Sequence, residues 1–338
     1  MRLLTLAADA AAAVLVSTSF AAPVVTETRV EEVMSFADPD IDESSGLLDL
    51  GDLVVTVNDS GDDAVVYLVD KKSGETVGRT TYAEEVDDVE AMAPGLDGTV
   101  WVADIGDNRA HRQSVVVYRL PPVTPGDRTV VADRFELVYA GGARDAETLL
   151  VHPETGRLSV VSKGLFSGEV FEAPRRLRED GPNRLRRVGR VGGLVTDGAW
   201  FADGRHVVLR DYADAEIYDT EGWRSLGRIR MPTQPQSEGL AVEPSGERVL
   251  VSSEGPDEPL YSVAVPPQMI QAMAAETPTA PTPEGEGAVE PEQLSDDLSY
   301  RPDRRVWLLA GAAGGAFVVV LLGAIVLRAV RRRGRSRQ

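Results

Sequence analysis

Five acidic residues recur along the chain, each directly before a short run of small and apolar residues. They are Glu43, Glu90, Glu147, Asp197 and Glu238. Carboxylates crowded into a partly desolvated place either stay protonated or are neutralised by a cation. Carboxylate oxygens are ligands that Ca²⁺ prefers, and this ion tolerates irregular shells of about six to eight oxygens. The five acids are therefore candidate metal ligands if the fold brings them together.

The segments that carry these acids share one order of features. The acid and a small residue are followed by an apolar strand, a turn, a second apolar strand and a polar cluster. Intervals of roughly 40 to 57 residues are typical of propeller blades. The sequence therefore predicts an all-β fold, a five-bladed β-propeller over residues 24–266. The fifth repeat lacks a fourth strand, and the stretch Thr28–Phe36 is predicted to supply it and close the ring.

Propeller geometry places the start of each innermost strand and the end of the second strand at the same edge of the disc. The five acids are therefore expected around one mouth of the central channel. The polar clusters after the second strands would form a ring just outside them. Candidate catalytic groups in this ring are Asp104, Asp107, Lys163, Arg210 and Glu254. An alternative stays open, in which each acid only caps backbone N–H groups in its own blade.

Two functions fit this arrangement. The first is a binding or scaffold module that is stabilised by a cation and presents its loop-bearing face to an unknown extracytoplasmic ligand or protein. The second is a metal-dependent hydrolase, acting on phosphate esters for example, in which the cation polarises the scissile bond or activates water. In that case Lys163 and Arg210 would hold the anion, and Asp104, Asp107 or Glu254 would serve as the base. The sequence does not decide whether the protein is an enzyme.

Composition excludes several classes of chemistry. The chain contains no cysteine, which excludes disulfides, zinc–thiolate sites and cysteine nucleophiles.

The chain is strongly acidic, with a formal net charge of −19. Six arginines near the C-terminus offset part of the negative charge, so the remainder carries about −25 and is expected to repel nucleic acid and anionic lipid and to attract cations. No nucleic-acid partner is predicted.

The N-terminal residues predict export, and the C-terminal residues predict attachment to a membrane. Residues 1–22 have the positive start, apolar stretch and small-residue end of a secretory signal peptide. Val306–Leu327 is a run of 22 residues without a charge, long enough to span a bilayer. The basic residues of 328–338 are expected to hold that end in the cytoplasm. Gly311 and Gly315 form a small-xxx-small face that would allow a weak dimer through this helix.

The predicted span is preceded by a segment with an unusual composition. Residues 267–305 are rich in Pro, Glu and Thr and poor in large apolar residues. Such a segment buries too little surface to fold, so a disordered stalk is predicted. The expected protein is thus a single-pass membrane protein at the cell membrane, with its N-terminal domain outside the cytoplasm.

Several motifs resemble those of a group of exported bacterial β-propeller proteins. They are Asn58-Asp-Ser-Gly-Asp62, Asp87-Asp-Val-Glu-Ala91, Asp104-Ile-Gly-Asp-Asn108, Arg144-Asp-Ala-Glu147 and Ser237-Glu-Gly239. They recur in order between about Asp42 and Val265. This resemblance implies the fold and says little about activity.

The sequence is also similar to the calcium-activated nucleotidases (apyrases), which are five-bladed propellers with Ca²⁺ on the axis. The resemblance implies that Glu90, Glu147 and Glu238 are ligands, with Ser44 or Ser45 and Asp197 in the remaining blades. That family carries Asp-Asp-Arg-Thr-Gly after its first inner hairpin, where this chain has Asn58-Asp59-Ser60-Gly61. The arginine fork that would fix a phosphate is missing, which puts nucleotide hydrolysis in doubt.

Overall fold

The computed structural model describes residues 28–59, 63–83 and 85–276. These residues form an all-β fold with one short helix and one 3₁₀ turn at Leu96–Gly98. The strands are β1 Val30–Ser35, β2 Ser44–Asp49, β3 Leu53–Asn58, β4 Val65–Asp70, β5 Thr76–Thr81, β6 Val89–Pro94, β7 Val100–Asp104, β8 Val115–Leu120, β9 Arg128–Thr129, β10 Asp133–Tyr139, β11 Ala146–Val151, β12 Leu158–Ser162, β13 Ser167–Glu172, β14 Asn183–Gly192, β15 Asp197–Trp200, β16 His206–Arg210, β17 Asp214–Asp219, β18 Arg224–Arg230, β19 Ser237–Val242, β20 Arg248–Ser253 and β21 Pro259–Ala264, followed by helix α1 Pro267–Glu276.

The strands pair as antiparallel meanders, which we number one to five in chain order. They are β2-β3-β4-β5, β6-β7-β8-β10, β11-β12-β13-β14, β15-β16-β17-β18 and β19-β20-β21-β1. Meanders two and three join into one sheet because β10 and β14 pair in parallel along their outer edges. The short strand β9 extends meander one in the same way, by parallel pairing with β5.

The first strands of the meanders lie around a common centre. Each inner strand contacts the next one: β2 contacts β6, β6 contacts β11, β11 contacts β15, β15 contacts β19, and β19 contacts β2. An arrangement in which the inner strands of successive sheets adjoin one another in a cycle is propeller-like. All five inner strands therefore begin at the same end of a central channel.

The N-terminal strand completes meander five, as the sequence predicted. β1 pairs antiparallel with β21, with Val30 opposite Val263. This pairing covers the outer edge of β21, which would otherwise present unpaired backbone groups. The first and last described strands are thus held in the same sheet.

The core lies between successive meanders, where apolar side chains on the facing sides of neighbouring sheets pack together. One cluster joins meanders two and three through tilted and edge-on aromatic contacts, Trp101 with Phe135 and Tyr139 with Phe171. Another joins meanders one and two through Tyr82 and Tyr118. Pairs of this geometry add to the stabilisation from apolar burial. These contacts fix neighbouring sheets relative to each other, and with them the inner strands.

Helix α1 extends the folded region ten residues beyond the predicted boundary at Pro266. Met273 is buried in the cluster of meanders four and five, and Met269 packs over Gly227 in β18. A Cβ at Gly227 would lie 2.7 Å from Met269 Cε, so the glycine allows this close approach. The first part of the predicted stalk is therefore helical and packed.

Across the described ranges, no helix has the length and apolar character needed to cross a membrane. The predicted signal peptide at 1–22, the remaining stalk to residue 305, the span Val306–Leu327 and the tail 328–338 lie outside those ranges.

Candidate functional site

Bulges near the start of the inner strands leave one inner-strand residue without a ladder partner in meanders one, two and three, and two such residues in meander five. In β6, Val89 lies opposite Asp104 but Ala91 lies opposite Ala103, so Glu90 has no partner in the ladder. Shifts at the same place involve Ser45 in β2, Glu147 in β11, and Glu238 with Gly239 in β19. A bulge bends the strand and re-aims the extra side chain. Three glutamates and one serine therefore occupy equivalent positions.

The three bulge glutamates are buried and act on one another electrostatically. Glu90, Glu147 and Glu238 are each at most 4% exposed. Burial raises the pKa of all three, and the charge of a neighbouring bulge glutamate raises the pKa of Glu90 and of Glu238 further. Burial raises the pKa of Glu147 to about 7. The inner strands therefore bring these side chains together at one end of the channel.

The tightest group of oxygens belongs to Asp59, Asp88 and Glu90. One carboxylate oxygen from each lies within 4.8 Å of the other two. Asp59 follows β3, Asp88 precedes β6, and Glu90 is the bulge residue, so meanders one and two build the group together. We call these three residues the acidic trio. Carboxylate oxygens are the type of ligand that Ca²⁺ prefers, and this ion accepts the irregular geometry expected of ligands from different strands and loops.

A repeated backbone hydrogen bond explains why the trio has room. In four meanders a residue after the second strand donates its N–H to the carbonyl oxygen of the residue before the inner strand, at 2.9–3.0 Å; the donor is one residue past the strand in meanders one, three and five and two residues past it in meander two. The donor–acceptor pairs are Asp59–Glu43, Gly106–Asp88, Lys163–Asp145 and Glu254–Gln236. Meander two has glycine where the others have a side chain. A Cβ at Gly106 would lie 2.5 Å from both Asp88 Oδ2 and Glu90 Oε1.

Lys163 supplies positive charge to the same end of the channel. Its Nζ lies 2.7 Å from Glu147 Oε1 and 5.1 Å from the centre of the Tyr212 ring. Burial opposes the ammonium charge, but Glu147 and Glu238 hold the pKa of Lys163 well above its usual range. Among the described residues, Oε2 of the buried Glu238 has no hydrogen-bond partner. One ammonium group thus faces several carboxylates.

Two of the predicted ligands, Glu43 and Asp197, do not take the bulge position. Glu43 is half-buried and lies two residues before Ser45, at the position equivalent to Asp88. Asp197 pairs in regular register with Arg210, and its Oδ2 accepts a 2.7 Å hydrogen bond from the N–H of Leu240. Asp197 therefore joins meander four to meander five, while its Oδ1 has no hydrogen-bond partner among the described residues.

Two of the candidate catalytic carboxylates are engaged in organising loops. Asp104 accepts hydrogen bonds from the N–H groups of Asp87 and Asp88 at 3.0 and 3.1 Å, and from Arg112 Nη1 at 2.7 Å. Asp107 accepts from the N–H groups of His111 and Arg112. Asp104 therefore holds the loop that presents Asp88, and Asp107 holds the loop that follows β7.

The candidate anion-binding residue Arg210 is fully buried, and its guanidinium group donates hydrogen bonds to two backbone carbonyl oxygens and one side chain. Its Nη1 donates to the carbonyl oxygens of Gly239 and Ser252 at 2.9 and 2.6 Å, and its Nη2 donates to Gln234 Oε1 at 2.7 Å. Burial lowers the pKa of Arg210 to about 10. Arg210 thus joins meanders four and five. The remaining candidate, Glu254, lies near the bulge glutamates, since its charge raises the pKa of Glu238.

Four residues near the site, Asp59, Asp88, Tyr212 and Asp145, were not among the predicted ligands and catalytic groups, and Asp59 is a member of the trio. Asp88 belongs to the trio, Tyr212 lies beside Lys163, and Asp145 accepts a 2.9 Å hydrogen bond from the N–H of Asp107. Burial raises the pKa of Asp145, and its charge also raises the pKa of Glu147. The Asp87-Asp88 pair two residues before Glu90 was the available signal for Asp88.

The other end of the channel has a different character. A cavity of about 200 Å³ is lined by the later residues of all five inner strands. Leu48, Met92, Leu150, Trp200 and Leu240 are among them. Asp49 also lines this cavity, but its Oδ1 is paired with Lys71 Nζ at 2.6 Å. The bulge glutamates and Lys163 are therefore at the opposite mouth from a mainly apolar cavity.

Comparisons with known proteins give structural likeness at low identity. The sequence matches no known protein family, and no curated protein matches it. A glutaminyl cyclase from Myxococcus xanthus has a TM-score of 0.44 at 14% identity, covering 70% of this chain and 96% of its own. A gluconolactonase from Xanthomonas campestris has 0.42 at 16% identity, covering 71% and 90%. A luciferin-regenerating enzyme has 0.41 at 10% identity, covering 71% and 96%. Scores and identities this low carry no information on activity.

Proposed function

We propose that the protein is a five-bladed β-propeller that binds a cation, Ca²⁺, at the acidic mouth of its channel and acts as a binding or scaffold module. The observation that carries this proposal is the acidic trio, in which one oxygen each from Asp59, Asp88 and Glu90 lies within 4.8 Å of the others. Carboxylates at this spacing repel one another, and a bound divalent cation removes that cost.

Two further features support a cation at this place. Glu238 is 3% exposed, and its Oε2 lacks a hydrogen-bond partner among the described residues, an arrangement that costs free energy unless a ligand is bound. Gly106 leaves open the space that a side chain would take from Asp88 and Glu90. We assign the trio as the main ligand group, with Glu147 and Glu238 lining the mouth.

The expected affinity follows from the predicted location. If the domain is exported, the site meets extracellular calcium, for which modules have dissociation constants of about 10⁻⁴–10⁻³ M. Lys163 lies at the same mouth and reduces the negative charge there. A weak, calcium-selective site is therefore expected, one that stabilises the fold and fixes the loops of this face.

The hydrolase alternative is less well supported by the geometry. Arg210 donates to backbone and side-chain oxygens within the fold, and Asp104 and Asp107 hold loops. Only Lys163 and Glu254 remain from the proposed anion-binding and base residues. The binding function requires none of these groups to react.

Isothermal titration of Ca²⁺ into the full chain in mild detergent tests the proposal. We expect one site in the natural chain, at least tenfold weaker binding in Glu90→Gln, and no change in the exposed control Glu179→Gln. Calcium binding that is equal in the two variants, or no binding in the natural chain, would reject the site. Turnover of phosphate, ester or lactone substrates that vanishes in Glu147→Gln would instead support the hydrolase.

A further inference from the structure

Meander three carries two consecutive large apolar side chains in solvent. Leu165 is 58% exposed and Phe166 is 90% exposed, in the loop between β12 and β13. Single exposed apolar residues are ordinary, but an exposed aromatic residue next to an exposed leucine at the tip of a loop is a feature of interaction sites. We call these two residues the apolar tip.

Backbone contacts hold the apolar tip in place. The N–H of Leu194 donates a 2.8 Å hydrogen bond to the carbonyl oxygen of Gly164. Gly193 lies so close that a Cβ there would be 2.7 Å from the carbonyl oxygen of Leu165 and from the carbonyl carbon of Phe166. The loop is therefore fixed from behind while its side chains face outward, and little conformational freedom remains to be lost on binding.

The same meander concentrates positive charge on an otherwise acidic protein. The stretch from Pro174 to Arg190 contains seven arginines and only two acidic residues, while the whole chain has a net charge of −19. Four of these arginines are exposed on the outer strand β14, namely Arg184, Arg186, Arg187 and Arg190. Arg186 and Arg187 form ion pairs with Glu172 and Glu169. Arg184 and Arg190 form none within the described part of the chain.

Strand register brings the two features together. Ser167, directly after Phe166, lies opposite Gly192, and Glu169 lies opposite Arg190. Arg190 is thus two residues from the end of β14 that adjoins the apolar tip. Arg187 reaches Glu169 with its Nη1 at 2.8 Å, so it lies on the same stretch of this edge. Apolar side chains and arginines therefore occupy adjacent positions on one rim of the domain.

We propose that this rim of meander three docks on the surface of an anionic phospholipid bilayer. Leu165 and Phe166 would insert at the boundary between headgroups and acyl chains, and Arg190 would pair with a lipid phosphate. A protein partner would require a contact surface of the order of 800 Å² per side, whereas two apolar side chains flanked by arginines meet the needs of shallow insertion. The inference uses no ligand of the cation site, although Leu165 follows Lys163 of the acidic mouth by two residues.

Such docking is weak by itself, because it uses only two apolar side chains and few charges. A chain tethered to the same membrane, as the run Val306–Leu327 predicts, would raise the effective concentration of the rim at the lipid surface. Docking would then orient the domain, with meander three toward the membrane.

The absence of cysteine allows the test to be made with single labels on the full chain. Phe166→Cys and, as a control, the 97% exposed Val131→Cys each receive one environment-sensitive fluorophore. The probes are vesicles of brominated phosphatidylcholine with or without phosphatidylglycerol. We expect quenching at position 166 but not at position 131, only with phosphatidylglycerol, and weaker at high salt. This comparison is informative whether or not the predicted span also inserts.

Charge variants complete the test. Arg190→Gln on the Phe166→Cys background is expected to reduce the quenching, while Arg230→Gln, which removes an exposed arginine from β18 of meander four, leaves it unchanged. Equal quenching at positions 166 and 131 would overturn the proposal. Quenching that is the same without anionic lipid, or the same in Arg190→Gln, would overturn the role of the arginines.

Discussion

The ammonium nitrogen of Lys163 lies 2.7 Å from Oε1 of Glu147, so the acidic mouth of the channel contains an internal counter-ion. Lys163 and Glu147 both belong to meander three, whereas the acidic trio comes from meanders one and two. One side of the mouth is thus neutralised by the protein itself. The other side presents three carboxylates to whatever cation enters.

Replacing Lys163 with Met tests this division. We expect Lys163→Met to bind Ca²⁺ about threefold or more tightly, because a positive charge near the site is removed. The cation-free variant should also be less stable, since Glu147 loses its partner. Calcium titration and urea unfolding check the two effects. A lower calcium affinity in Lys163→Met would contradict the view that Lys163 neutralises one side of the mouth while the acidic trio binds the cation on the other.

Gly106→Ala tests the space beside the trio. The added methyl group would lie 2.5 Å from Asp88 Oδ2 and Glu90 Oε1, so these oxygens must move apart. We expect calcium affinity to fall at least tenfold, with the thermal unfolding midpoint of the cation-free protein little changed. Gly222→Ala is the matched control, because a Cβ there meets nothing within 4 Å. Similar calcium affinity in the two variants would count against the assigned site.

Arg210 is expected to contribute to stability and not to ligand binding. In Arg210→Met, the carbonyl oxygens of Gly239 and Ser252 and the side chain of Gln234 lose their donor. The free energy of unfolding should fall by about 3 kcal/mol. Arg230→Met, on the exposed strand β18, should change it by less than about 1 kcal/mol. Urea unfolding measures both, and equal losses would show that Arg210 is not a structural arginine.

The bulge glutamates predict that the cation-free protein is more stable at mildly acidic pH. Burial raises the pKa of Glu147 to about 7 and that of Glu90 and Glu238 above its usual range. Between the unfolded value near 4.5 and the raised values, the folded state binds more protons than the unfolded state, so stability falls as pH rises. We expect the unfolding midpoint to drop by roughly 5 °C or more between about pH 5 and pH 8.

Calcium should remove most of that drop, because a bound divalent cation stabilises the ionised carboxylates. Thermal unfolding with and without Ca²⁺ at both pH values is the measurement. In Glu147→Gln the pH effect should shrink, since one of the raised groups is gone. A cation-free protein that gains stability as pH rises through this window would contradict the clustering of buried carboxylates.

The repeat carried most of the information on the fold. Its period and turns predicted the inner strands, and the missing fourth strand of meander five predicted the pairing of β1 with β21. Helix α1 was missed because Pro267–Glu276 directly precedes the Pro-rich segment and its apolar face becomes evident only where Met273 packs against meanders four and five.

The site was predicted less completely, because its geometry depends on bulges. Glu43 and Glu90 look equivalent in sequence. The register shows instead that Ser45 holds the position in meander one that Glu90 holds in meander two, and that Glu43 corresponds to Asp88. A shift of one or two residues changes the direction of a side chain, and no local pattern marks it. Arg210 looked like a free cation because its acceptors, Gly239 and Ser252, are backbone groups of the next meander.

Anomalous diffraction from crystals grown with Ca²⁺ would test the central claim most directly. We predict one anomalous peak within coordination distance of Asp59, Asp88 and Glu90, and none in crystals of Gly106→Ala grown in the same way. A channel mouth without a peak at saturating calcium, or a peak bound only by other residues, would contradict the assigned cation site.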